Sequence, residues 1–186
     1  MTIRNIATVG GNICSAVPSG DSIPPMLAFN AEFVLVSRGK ERLVKATEFF
    51  LGPRKTVLES DELLREIRIP IVPGHCGSAF EKIARNSVDL ANANVAVFIR
   101  RSDSGLVEEG RIALGAVAPT VVRATACERV LMGKKPEGKI LDEVCDKIAE
   151  AISPITNIRC TKEYRREALN VLVKRAILRA YDGAAV

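Results

Sequence analysis

Aromatic and acid–base side chains are scarce in this 186-residue sequence, which has no tryptophan, two tyrosines, six phenylalanines and a single histidine, His75. Single-stranded nucleic acids are bound by stacking their bases on aromatic side chains, so the net charge of +5 does not by itself support a nucleic-acid interface. His75 is next to Cys76, but adjacent residues rarely face each other and nothing nearby would orient the ring. No catalytic residue is therefore predicted.

The sequence also lacks the cysteine spacings that mark metal sites and disulfide frameworks. Its five cysteines are an odd number, widely separated, with no Cys-x-x-Cys pair, so neither a zinc site nor a set of disulfides is indicated. They are expected to be buried or partly buried thiols in a reducing compartment. No apolar run approaches the roughly 20 residues of a membrane span, and the start lacks the apolar core of a signal peptide. The sequence thus predicts a cytoplasmic protein without a metal site.

Hydrophobic residues make up 47% of the chain, which is enough for one domain or two small ones. In the first part, a polar loop at 38–41 between apolar runs predicts a β-hairpin. Thr47 and Glu48 have the character of a helix start, and the alternating residues of 63–71 predict a strand. Residues 73–75, Pro-Gly-His, are the best candidate for a linker that closes this unit.

The second part changes from a strand period to a helix period. Three runs predict strands at 78–85, 92–101 and 110–124, and the helical spacing that follows predicts helices beginning at Thr125, near Lys139 and near Glu163. Strands followed by helices indicate an α+β domain in which the helices cover one face of a three-stranded antiparallel sheet.

The stretch "TIRNIATVGGNICSAVPSGD" at residues 2–21 is the one local pattern with chemical content. It predicts a short strand, Ile6–Val9, that ends in a turn at Gly10-Gly11, where backbone amides free of Cβ atoms could hold a phosphate. The Asp21 carboxylate could bind ribose or ribityl hydroxyls. From spacing alone a tight turn or a β-bulge is the favoured alternative, and the absence of Gly-x-Gly-x-x-Gly excludes a Rossmann site.

Five stretches occur in a fixed order along nearly the whole chain: "IRNIATVGGNICSAVPSGDSIPPMLAFNA", "ELLREIRIP", "SAFEKIARNSVDLANANVAV", "RIALGAVAPTVVRA" and "EYRREALNVLVKRAILRA". Together they resemble the FAD-binding medium subunit of the molybdenum hydroxylases, the family of carbon monoxide dehydrogenases and xanthine dehydrogenases. The resemblance implies the second half of a PCMH-type FAD-binding domain at 1–73, followed at 76–183 by the α+β domain typical of the CO dehydrogenase flavoprotein C terminus.

The resemblance also assigns cofactor-binding residues. It implies a backbone segment around the FAD pyrophosphate, an acidic residue at the sugar-like hydroxyls, a leucine at the edge of the cofactor, a lysine near the flavin and a leucine against the isoalloxazine ring. In this sequence the backbone segment is Thr8, Val9, Gly10, Gly11 and Asn12. The acidic residue is Asp21, the leucine at the edge is Leu64, the lysine is Lys82 and the leucine against the ring is Leu90. On composition alone the two leucines would be core residues, Lys82 a solvated strand residue and Asp21 part of an Asx-turn.

In function, the resemblance implies an oxidoreductase subunit. Its FAD would pass electrons from [2Fe-2S] clusters to NAD or another acceptor, and the clusters and molybdopterin would belong to partners, an iron–sulfur small subunit and a large subunit. The cysteine spacing agrees, because it is not that of a ferredoxin. The alternative is a non-catalytic scaffold or truncated remnant that binds partner subunits without FAD.

One departure from the family pattern concerns the start of the chain. The family has an earlier half of the flavin domain, with another glycine-rich loop on the pyrophosphate, whereas Met1 here directly precedes the second motif. A fragment, a separately made N-terminal flavin-domain chain and a misplaced or truncated gene start all remain open. About half of the pyrophosphate donors would be missing, each worth ~1.5–3 kcal/mol, so this chain alone could bind FAD weakly or not at all.

Overall fold

The computed structural model describes residues 5–72 and 74–185. Their strands and helices follow one another in the order α1 (Val9–Cys14), α2 (Ile23–Ala28), β1 (Glu32–Ser37), β2 (Lys40–Lys45), α3 (Ala46–Phe49), β3 (Phe50–Gly52), β4 (Lys55–Thr56), β5 (Leu63–Arg68), β6 (Cys76–Ile83), β7 (Ala93–Arg101), β8 (Val107–Gly115), β9 (Val122–Arg123), α4 (Thr125–Leu131), α5 (Lys139–Ile148) and α6 (Lys162–Gly183). Within this part of the chain, no helix is long and apolar enough to cross a bilayer.

The first sheet has the strand order β2-β1-β5, with both pairs antiparallel. The predicted hairpin is confirmed, because Ser37 pairs with Lys40 across a turn in which Gly39 has φ +80°, and β5 lies within the strand predicted at 63–71. The helix expected at Thr47 is only α3, four residues long, which gives way to the short β3–β4 hairpin. Of the predicted linker, Pro73 lies outside the described residues.

The second sheet is antiparallel with the order β6-β7-β8-β9. The α+β class is confirmed, and the sheet gains a short fourth strand, because the run predicted at 110–124 is two strands rather than one. Ala113 and Leu114 of β8 pair with Arg123 and Val122 of β9. The segment between them turns the chain back, with Ala116 at φ +63°.

Strand β7 is buried on both of its faces. Val95, Val97 and Ile99 point into a core shared with the three C-terminal helices. Ala96 and Phe98, on the opposite face, belong to a second core with α2 and the first sheet, and the Phe29 and Phe98 rings meet edge to face at 5.6 Å. The sequence predicted helices on one face of the second sheet only. Its other face is covered by the N-terminal part of the chain.

The three C-terminal helices confirm the helical periodicity, and α5 ends at Ile148. The buried side of α5 is formed by Leu141, Val144 and Ile148. Between α4 and α5 the thiol of Cys127 is fully buried and donates to the Val144 carbonyl at 3.3 Å. Burial raises the pKa of this thiol to about 12, so Cys127 is a neutral core residue at physiological pH.

Helix α6 lies directly on strand β6 at Gly77. A Cβ at this position would overlap the Ala180 carbonyl oxygen and lie 2.5 Å from Ala184 N and 2.8 Å from Gly183 C. These are backbone atoms that cannot rotate away. The end of the longest helix is therefore seated on the sheet only because residue 77 has no side chain.

Candidate cofactor-binding site

The predicted glycine turn is the start of a helix. The strand expected at Ile6–Val9 is wrong: Thr8 is extended and caps α1, whose first residue is Val9. The Thr8 hydroxyl accepts a hydrogen bond from Gly11 N at 2.9 Å, and Asn12 N donates to Thr8 O at 3.0 Å. Neither Gly10 nor Gly11 has a positive φ. The capping chemistry of a threonine outweighs the turn preference of two glycines here.

Gly10 and Gly11 leave two positions in the first turn of α1 without side chains. A Cβ on Gly11 would lie 2.9 Å from the Thr8 hydroxyl oxygen and disturb the cap, and a Cβ on Gly10 would reach Leu64 Cδ2 at 3.9 Å. Leu64, the predicted edge residue on β5, is partly buried beside the helix. Thus the structure brings Leu64 close to the segment 8–12.

Asn12 connects α1 to the loop that contains Asp21. Its side-chain oxygen accepts a 2.6 Å hydrogen bond from the Ser22 hydroxyl, and a Cβ on Gly20 would lie 3.1 Å from the same atom. The glycine at 20 therefore lets the loop approach the helix closely. As a result, Asp21 follows directly after the point at which the loop touches α1.

The Asp21 carboxylate is held by two side chains of the second sheet. One oxygen accepts from Lys82 Nζ at 2.6 Å, and the other accepts from Asn94 Nδ2 at 3.2 Å. Lys82 and Asn94 are opposite each other in the β6–β7 register. The carboxylate remains about half exposed, whereas the Lys82 side chain is mostly buried. The predicted residues Asp21 and Lys82, 61 positions apart in the chain, therefore form one ion pair.

Asn94 is a site residue that the sequence did not reveal. It is fully buried, and its side-chain oxygen has no hydrogen-bond partner. The space for it comes from Gly115 on β8, where a Cβ would overlap that oxygen and lie 3.2 Å from Asn94 Cγ and 3.1 Å from Pro18 O. A glycine across the strand pair thus lets a buried amide reach Asp21. Without the register of β7 and β8, no local pattern relates these residues.

We expect Gly115→Ala to destabilise the fold by about 1–3 kcal/mol, the cost typical of overpacking. Asn94→Ala removes the overlapping side chain, so the double variant should lose at least about 1 kcal/mol less than the sum of the single losses. Urea unfolding of the four proteins measures this coupling. Gly110→Ala in the same strand, where a Cβ would meet atoms at 3.5 Å and beyond, is the matched control. Additive losses would contradict the assigned contact.

Leu90 lies in the loop between β6 and β7, at the end of the sheet where Lys82 and Asn94 pair. Its side chain is 46% exposed, which is not the core position that composition alone favours. The loop is stiffened by Asn86, whose side-chain amide donates to Asp89 at 3.2 Å. Leu90 is therefore an exposed apolar group, available to a planar ligand.

The cluster combines groups suited to a phosphate-bearing cofactor. The first amides of α1 are not used within the helix and favour anions, Asp21 offers a fixed acceptor for hydroxyl groups, and Leu64 and Leu90 offer apolar contact. No nucleophile with an adjacent base is found among these residues, and no group of histidine, cysteine or acidic side chains that could hold a metal occurs in 5–72 and 74–185. The fold is α+β, and this cluster is its candidate cofactor-binding site.

The comparison with protein families agrees with this class. The model for the FAD binding domain in molybdopterin dehydrogenase matches residues 1–72, and the model for the CO dehydrogenase flavoprotein C-terminal domain matches residues 78–180. The chain belongs to the CO dehydrogenase flavoprotein family. The resemblance found in the sequence is thereby confirmed.

Several relatives are subunits of dehydrogenases. The carbon monoxide dehydrogenase medium chain of Hydrogenophaga pseudoflava is 35% identical over 96% of this chain and 62% of its own length. The xanthine dehydrogenase FAD-binding subunit of Escherichia coli O157:H7 is 33% identical over 98% and 63%. The chain thus spans somewhat less than two thirds of these relatives.

Solved structures show the same fold. Carbon monoxide dehydrogenase from Hydrogenophaga pseudoflava superimposes with a TM-score of 0.93 at 36% identity, over 98% of this chain and 63% of that one. Quinoline 2-oxidoreductase from Pseudomonas putida 86 gives a TM-score of 0.91 at 27% identity, over the whole of this chain and 64% of its own.

Proposed function

We propose that this chain is the FAD-binding component of a molybdenum hydroxylase-type dehydrogenase, through which electrons pass from [2Fe-2S] clusters to NAD or another acceptor. Two observations carry the proposal. Residues 1–72 match an FAD-binding domain, and hydrogen bonds link the segment Thr8–Asn12 to the loop of Asp21 and link Asp21 to Lys82. These residues are called the strip below. When bound, FAD would supply the redox chemistry, and the chain supplies placement and electrostatics.

The start of α1 would bind the cofactor pyrophosphate. The amides of Val9 and Gly10 lie in the first turn, and the partial positive charge of a helix start favours a phosphate there. Thr8 fixes the turn through its bond to Gly11 N. Because neither Gly10 nor Gly11 carries a side chain, phosphate oxygens can approach the backbone itself. Asn12 holds the loop of Asp21 close to the same turn.

Lys82 and Asn94 would orient the Asp21 carboxylate. Each donates to a different oxygen, which fixes the plane of the carboxylate and leaves its remaining lone pairs for the hydroxyls of a sugar-like chain. The positive charge of Lys82 also offsets the repulsion between Asp21 and a nearby pyrophosphate. Leu64 and Leu90 would then contact the apolar parts of the cofactor, with Leu90 against the isoalloxazine ring.

The partners would be an iron–sulfur small subunit and a molybdopterin large subunit, with NAD or another acceptor receiving the electrons. In this assembly residues 1–73 act as the FAD-binding part and residues 76–183 as the C-terminal domain. A cytoplasmic location fits such an assembly, and substrate hydroxylation would belong to the large subunit.

Titration of FAD with the purified chain, followed by quenching of flavin fluorescence, tests the proposal. Saturable quenching is expected. The affinity for FAD should fall at least about tenfold in Gly11→Asp, because the new side chain disturbs the Thr8 cap and places a negative charge beside the pyrophosphate. Ser104→Asp adds the same charge in the exposed turn at the other end of β7 and should bind FAD as the unchanged chain does.

Two results would contradict the proposed binding of FAD. Equal affinity in Gly11→Asp would remove α1 from the site. No binding by the unchanged chain, with circular dichroism showing a folded protein, would favour the alternative of a scaffold that binds partner subunits without FAD.

A further inference from the structure

A cavity of about 320 Å³ is lined in part by loop 17–19. It is formed where this loop meets the segment after β8 and the residues that lead into α6. Its walls are largely apolar and include Val17, Ala118 and Ile155, and its polar groups include Ser19, Arg159 and Arg165. This size and this composition are typical of sites for small organic ligands.

Arg165, in the first turns of α6, is a buried cation with only neutral acceptors. Arg165 is only 3% exposed. Its guanidinium donates four hydrogen bonds, to Ile155 O at 3.2 Å, Asn92 O at 2.5 Å, Ala116 O at 2.9 Å and Asn157 Oδ1 at 3.0 Å. These bonds use four of the five guanidinium N–H groups. One N–H donor therefore remains, and no carboxylate in the described ranges pairs with the positive charge.

The surroundings add positive charge and supply no negative charge. None of the residues that line the cavity is acidic, and in the described ranges the Arg159 guanidinium takes part in no ion pair. The Ser19 hydroxyl, on a residue 7% exposed, has no hydrogen-bond partner within the same ranges. Burial of an unpaired charge is costly, so an anion that entered the cavity would offset that cost.

We propose that this cavity binds a small carboxylate with a compact apolar body. The remaining Arg165 donor, the fork of Arg159 and the Ser19 hydroxyl suit a planar group with one negative charge. The apolar walls suit a ring or a short branched chain. The residues that line the cavity include none of the predicted FAD contacts Thr8–Asn12, Asp21, Leu64, Lys82 and Leu90, and the proposal does not depend on the function proposed above.

Calorimetric titration of the 186-residue chain with benzoate tests this site. Saturable binding is expected, weakened about tenfold in Arg159→Gln through loss of charged hydrogen bonds and abolished in Ala118→Phe, which fills the cavity. Arg129→Gln, an exposed arginine on α4, should bind as the unchanged chain does. Benzyl alcohol has a similar shape without the charge and should not bind.

Several outcomes would overturn the proposal. They are an absence of benzoate binding, equal affinity in Arg159→Gln, equal affinity for benzyl alcohol, and competitive displacement of benzoate by FAD, which would place the cavity inside the cofactor site. Tighter binding of phenyl phosphate than of benzoate would overturn the carboxylate assignment. Arg159 rather than Arg165 is the variant for this titration, because loss of Arg165 also destabilises the fold.

Discussion

The Gly77→Ala variant is expected to be destabilised by at least about 3 kcal/mol, the upper range for overpacking, because the added carbon overlaps backbone atoms. For a chain of this size that corresponds to a fall in Tm of about 10 °C. The reason is the seating of α6 on β6: the atoms that a Cβ would meet belong to Ala180, Gly183 and Ala184. To make room, the end of α6 must lift from the sheet and uncover the core beneath it.

Differential scanning calorimetry measures this loss. Gly52→Ala is the matched control, because the nearest atom to its Cβ would be Lys55 Cβ at 4.0 Å and its φ is negative. Its effect should remain within about 1 kcal/mol, since alanine also restricts the unfolded chain. A Gly77→Ala variant as stable as Gly52→Ala would show that α6 does not rest on the strand in this way.

Arg165→Met should cost about 2–4 kcal/mol of the free energy of unfolding. Methionine keeps the length of the side chain but leaves the carbonyls of Asn92 and Ala116 without donors, at about 1–3 kcal/mol for each buried group. Ile155 and Asn157 are exposed, so water can replace the donor there. Relief from burying a charge offsets part of the loss. The midpoint of urea unfolding reports the difference.

Arg166→Met is the control, because Arg166 is the next residue along α6 and is exposed. Its midpoint should stay within about 0.5 kcal/mol of the unchanged chain. If both variants unfold at the same urea concentration, Arg165 does not hold the segments around 92, 116 and 155 together.

Much of the fold follows from local patterns. The hairpin of β1 and β2 has a glycine-containing polar loop between apolar runs, and α5 repeats its apolar residues at the helical period, so both were predictable from neighbouring residues alone. The structure of the segment 6–11 was not predictable in this way. Its apolar residues and glycines favour a strand and a turn, but Thr8 caps a helix there by accepting a hydrogen bond from Gly11 N.

Long-range packing was harder to predict from the sequence. The alternation in β7 correctly placed Val95, Val97 and Ile99 on one face, but nothing local showed that α2 would cover Phe98 on the other. Within the candidate site, resemblance pointed to Asp21 and Lys82, which the structure joins. Asn94 depends on the absence of a side chain at Gly115, a relation between two strands that no pattern along the sequence contains.

The most direct measurement of the central claim is a map of backbone amide chemical shifts as FAD is added to the isotopically labelled chain. The proposed site predicts the largest changes at Val9–Asn12 and Asp21, with smaller ones around Lys82 and Leu90. Changes centred on Ser19, Ala116 and Arg165 would place FAD in the cavity instead. Such a result, or a spectrum that FAD leaves unchanged, would contradict the assignment of this strip as the flavin site.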